Sequence, residues 1–64
     1  MRFKIINTTD GRFVGEVVEA SRVAEQGEYL EYKDVRFPIV DMSQLGEIIT
    51  FYCPNYIAVV KLLG

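Results

Sequence analysis

The chain contains no histidine and no tryptophan, and its 64 residues include one cysteine and two prolines. Without histidine the usual general base is missing, and with it the Ser-His and Cys-His nucleophile pairs, so hydrolysis of those kinds is excluded and no enzyme is expected. One cysteine cannot close an intrachain disulfide, and with no histidine beside it a structural zinc site is not expected. The carboxylates Glu25, Glu28 and Glu31, and separately Asp10 and Asp41, are not spaced as metal ligands, so neither a metal nor a cofactor is expected. Cys53 reads as a small apolar residue at the end of a strand, since no neighbouring cation in the sequence lowers its pKa.

An excess of positive charge is lacking too. Seven basic residues stand against nine acidic ones, for a net charge of −2, and such a chain has no basic field with which to hold a phosphate backbone by counterion release. General nucleic-acid binding is therefore not expected. The sequence passes from Met-Arg-Phe-Lys directly into a strand pattern, without an apolar leader or a run of about 18 apolar residues. A soluble, cytoplasmic protein without membrane contact is the expectation.

What the chain does have is apolar character, at 50% of residues. Residues 1–64 form one domain, and a domain this small buries only roughly 60% of the surface its unfolded chain exposes. With an intrachain disulfide excluded and a structural zinc site not expected, the usual way to reinforce so small a core is oligomerisation.

The most ordered pattern is residues 45–63, LGEIITFYCPNYIAVVKLL. Two runs rich in Ile, Val, Phe and Tyr flank Pro54 and Asn55, where a two-residue or a four-residue loop reverses the chain in the same register. Phe51 then faces Ala58, Ile49 faces Val60 and Cys53 faces Tyr56, forming with Leu62 a core face. The opposite face pairs Ile48 with Lys61, Thr50 with Val59 and Tyr52 with Ile57. It is half apolar although it should meet solvent, which marks Ile48, Tyr52, Ile57 and Val59 as a candidate interface.

A second hairpin is expected from residues 3–8 and 12–20 around the loop Thr9-Asp10-Gly11. That loop pairs Phe3 with Val17, Ile5 with Gly15 and Lys4 with Glu16. Gly15 inside the second strand marks either a sharp bend or a bulge. Residues 21–27 form a polar connection with room for one helical turn, and 28–33 alternate as a half-buried strand that turns or bulges at Lys33-Asp34. Val35, Phe37 and Ile39 continue as a strand whose Pro38 calls for a free edge. Asp41-Met42-Ser43-Gln44 has the spacing of a capping box and Gly46 follows as a helix end would require, so a helical turn is expected there. The fold class is all-β: five or six short antiparallel strands in a strongly bent barrel or rolled sheet, with one short helical turn.

Two resemblances add to this. Asp10, Gly11, Arg12 and Gly15 resemble the first two strands of Sm-like proteins, and Leu45, Gly46 and Asn55 can be placed on that family's second motif, although no arginine-glycine pair precedes Asn55. Pro54-Asn55-Tyr56-Ile57 is similar to the ending of Src-homology-3 domains, without the tryptophan or the acidic, tyrosine-rich opening of their proline-binding groove. Both resemblances imply a small barrel.

Four tyrosines in 64 residues suit either stacking on a ligand or ordinary strand packing. Tyr29, Tyr52, Asn55 and Tyr56 are the candidate ligand-binding set. The expected function is a non-catalytic interaction module that self-associates as a homo-oligomer and docks on a protein partner. The alternative is an Sm-like oligomer that binds RNA or a small nucleotide.

Overall fold

The computed structural model describes residues 1–64 and contains seven strands and no helix. The strands are β1 Arg2–Thr8, β2 Val17–Glu19, β3 Tyr29–Tyr32, β4 Val35–Pro38, β5 Asp41–Leu45, β6 Ile48–Cys53 and β7 Tyr56–Leu62. Five of them form one antiparallel sheet in the order β2-β1-β7-β6-β5, while β3 and β4 form a separate two-stranded ribbon. No barrel closes, because β2 and β5 remain the two edges of the large sheet.

The β6–β7 hairpin has the expected register, with Ile49 opposite Val60, Phe51 opposite Ala58 and Cys53 opposite Tyr56. Its turn is the two-residue alternative. Pro54 presets its own backbone angle and Asn55 takes φ +58, the pattern of a type II turn. Alternation does the rest: Ile49, Phe51, Cys53, Tyr56 and Ala58 are buried on one face, and Phe3 and Ile5 of β1 join them there. Full burial of one such large side chain contributes about 1.5–3 kcal/mol, and with only nine of 64 residues buried this row supplies most of the core.

The front hairpin differs from its expectation. Phe3 lies opposite Val18 and Lys4 opposite Val17, one residue away from the Phe3-Val17 and Lys4-Glu16 pairs. Residues 9–16 form successive turns instead of a strand, because Gly11, Phe13 and Gly15 all have positive φ, which breaks an extended ladder. Gly15 therefore bends no strand; it sits in the turn that leads into β2. Phe13 holds its left-handed conformation with its ring edge-on to Tyr32, centroids 5.1 Å apart.

Both expected helical turns are absent. Residues 21–27 are bends and a turn, and the segment with capping-box spacing is strand β5, paired with β6 from Asp41–Tyr52 to Leu45–Ile48. The Asp41 carboxylate accepts the Met42 N–H at 2.8 Å, a local bond that needs no helix. Gly46, at φ +60, occupies the first position of the two-residue β5–β6 turn, where a type II′ turn uses glycine.

The ribbon joins the sheet at one peptide. Ile39 N–H donates to Glu28 C=O and Val40 N–H to Tyr52 C=O, each at 2.8 Å, so the chain leaves the ribbon and enters the sheet between these residues. Pro38 is the last residue of β4, and β4 pairs only with β3, leaving its other edge free. Phe37 holds the ribbon down by stacking on Tyr56, centroids 4.2 Å apart and planes 9° from parallel. No helix is long and apolar enough to cross a membrane.

Candidate functional site

The register fixes what the outer face of the large sheet presents. One row crosses all five strands as Val17, Lys4, Lys61, Ile48 and Leu45. The next is Asn7, Val59, Thr50 and Ser43, and a third is Ile57, Tyr52 and Asp41. Leu45 is 86% exposed, Ile57 43% and Tyr52 39%, while Ile48 and Val59 are half-buried between them. The four candidate interface residues thus share one face on two adjacent strands, and Leu45 extends their patch to the sheet edge.

The candidate ligand-binding residues are not brought together. Tyr52 is on the outer face and Tyr56 is buried on the inner one. Asn55 is exposed at the tip of the β6–β7 turn. Tyr29 is on the ribbon, with the Arg36 guanidinium 3.9 Å from its ring centre. No two of the three tyrosines form a stacking platform.

Two side-chain clusters surround the inner layer. Tyr56 donates to Asp10 Oδ1 at 3.1 Å, Arg12 N–H donates to the same atom at 3.2 Å, and Arg12 Nε lies 2.8 Å from Oδ2. Burial raises the Asp10 pKa, but these hydrogen bonds and the Arg12 charge outweigh it and leave the carboxyl below its ordinary value. At the ribbon tip, Glu16 accepts from Tyr32 Oη at 2.6 Å and pairs with Lys33 Nζ at 2.9 Å. The Tyr32 hydroxyl and then Lys33 lower the Glu16 pKa, and Glu16 in turn raises theirs. Both clusters tie turns and ribbon to the sheet.

Between sheet and ribbon runs an open groove of about 290 Å³. Phe3, Ile5 and Phe51 form its floor, and Leu30 and Phe37 its roof. Every buried side-chain nitrogen or oxygen of the chain has a hydrogen-bond partner, so no orphaned polar group points into the groove. Its lining is mostly apolar. Cys53 lies buried beside it, and burial pushes the thiol pKa up, away from the thiolate that would react or bind a metal. No three His, Cys, Asp or Glu side chains stand close enough to hold a metal ion.

The distribution of cations is what sequence reasoning missed. Arg12, Arg22, Lys33 and Arg36 are each paired with a carboxylate. Arg2, Lys4 and Lys61 are not, and alternation places all three on the outer face of β1 and β7. The expected Lys4 partner, Glu16, is engaged at the ribbon tip instead. The 9–16 turns bring Val17 in place of Glu16 opposite Lys4, and the β1–β7 pairing that adds Lys61 is not encoded in any local pattern. Comparison of the chain with protein-family models, with curated proteins and with solved structures returned no match.

Proposed function

We propose that the chain is a non-catalytic interaction module that self-associates through the outer face of its five-stranded sheet and docks on another protein with the same face. The observation that carries this reading is the apolar patch of Leu45, Tyr52 and Ile57 around half-buried Ile48 and Val59. Contiguous apolar surface of this kind on a small domain marks an interaction site more often than a solvated face.

The energetics favour a weak assembly. Covering what remains exposed of Leu45, Tyr52 and Ile57 contributes roughly 3–5 kcal/mol per copy by area scaling, or roughly 6–10 for two copies. Association costs about 4–15 kcal/mol. With the cost at the low end of that range, a surplus of up to about 6 kcal/mol remains, a dissociation constant no tighter than tens of micromolar. Self-association therefore depends on concentration and leaves the face available to a better-matched partner.

Light scattering across a hundredfold dilution tests the reading. The expected result is a mass well above the 7.3 kDa monomer at the highest concentration, falling on dilution. Ile57→Lys or Val59→Lys should lower it while the β signal in circular dichroism persists. A monomer at every concentration would remove self-association from the function.

A further inference from the structure

Lys4 and Lys61 face each other directly across β1 and β7. Like charges in that position destabilise a sheet, and neither ammonium has a carboxylate within ion-pair distance. Arg2, two residues from Lys4 on the same face, is also unpaired; Glu19 lies opposite it without closing an ion pair. Four of the seven cations are neutralised within the chain, and the three that are not converge on the central strands of the face assigned above to docking.

We propose that Lys4 and Lys61, with Arg2 at their margin, form the charged centre of that face, and that its occupant is an acidic, apolar segment of another protein. The inference rests on the docking reading and names its partner. Directly opposed residues have their Cβ atoms about 4.5–5.5 Å apart, so one carboxylate reaches both ammoniums. In the same row Val17 lies on one side, and Ile48 and Leu45 on the other, offering apolar contact to the residues that flank such a carboxylate. A second copy is a poorer match. Its own outer-face carboxylates, Glu19 and Asp41, are on the edge strands β2 and β5, not over the centre. A nucleic acid is a poorer match as well, because the one outer-face aromatic, Tyr52, is four residues along the hairpin from the Ile48-Lys61 pair, about 13 Å away at strand rise.

The test uses three labelled probes in fluorescence polarisation with the full chain: a twelve-residue peptide of alternating glutamate and valine, its lysine-valine counterpart, and a twelve-base oligothymidylate. The glutamate-valine peptide should bind at least tenfold more tightly than either of the others, and more weakly as salt rises. The charge-reversed Lys4→Glu/Lys61→Glu protein and the neutral Lys4→Gln/Lys61→Gln protein should each lose at least tenfold in that affinity. The neutral variant should not melt below the wild type, since it relieves the repulsion between directly opposed charges, whereas the charge-reversed variant keeps two like charges opposed and serves only the binding comparison. A purely structural role for the lysines would instead lower the melting temperature.

Equal binding of the acidic and basic peptides would overturn the proposal, as would a double variant that binds like wild type. Tighter binding of the oligothymidylate would assign the cations to phosphate and overturn it too. Loss of self-association in the neutral variant, with peptide binding intact, would assign them to a second copy. If the acidic peptide fails to bind while Ile57→Lys still abolishes self-association, the partner is wrong and the docking face stands. If neither measurement responds, both readings fall.

Discussion

Substituting Gly15 separates backbone conformation from packing with unusual clarity. Gly15 has φ +93, and a Cβ built on it would meet no atom within 4 Å, so any penalty of an L-residue there is conformational. Its N–H donates to Ile5 C=O at 2.7 Å, and Ile5 N–H donates to Glu16 C=O at 2.9 Å, so the turn cannot relax without loosening its hold on β1. Holding a non-glycine residue in such a region costs about 1–3 kcal/mol. A domain of this length has roughly 3–10 kcal/mol of stability, and each kcal/mol shifts the melting temperature by about 4–8 °C. Gly15→Ala and Gly15→Val should therefore both lower the melting temperature clearly, and by similar amounts. A chemically synthesised chain with D-alanine at position 15 should melt at or above the wild type, because that residue accepts positive φ and restricts the unfolded chain. Thermal denaturation followed by circular dichroism measures all three. A valine variant as stable as wild type would refute the reasoning, and one far worse than the alanine variant would mean that space, not φ, is limiting.

Phe37→Ala removes a half-buried ring stacked on Tyr56 and should cost about 2–4 kcal/mol in urea denaturation, from partial loss of a buried phenylalanine and of the aromatic pair; a loss under about 1 kcal/mol would mean that the ribbon is not held there. The Arg22 guanidinium, followed by the Glu25 N–H, brings the Glu28 carboxyl from 4.5 down to about 2. A carboxylate lowered in the folded state favours folding above its unfolded pKa, and that contribution fades as pH falls from about 4.5 toward about 2. Arg22→Ala should move the Glu28 midpoint, followed by NMR, back toward 4.5, and an unmoved midpoint would exclude the ion pair as its cause.

The sequence was most readable where a strand pair is local and its turn short. In the β6–β7 hairpin, two alternating apolar runs and a Pro-Asn turn determine register, core face and outer face together. Readability ended where the same residues serve two local structures. Asp41 to Gln44 carries the spacing of a helix cap, yet the segment pairs with β6, and Gly46 serves a tight hairpin turn as readily as a helix end. In the front hairpin, positive φ at Gly11, Phe13 and Gly15 replaced the expected strand with turns, and no pattern in the sequence foretells a positive φ at a phenylalanine. The candidate site divides along the same line. Ile48, Tyr52, Ile57 and Val59 were legible from one hairpin, whereas the meeting of Lys4 and Lys61 depends on pairing between the first and last strands of the chain.

The central claim is that the outer face of the sheet is what a partner covers. Its most direct test is solvent accessibility residue by residue, read from paramagnetic relaxation of side-chain and amide NMR signals by a soluble probe across a hundredfold range of protein concentration. The account predicts that Leu45, Ile48, Tyr52, Ile57 and Val59 become progressively shielded as concentration rises, while Leu30 and Phe37 of the inner groove do not change. Shielding of the groove with the outer face still fully accessible would contradict it.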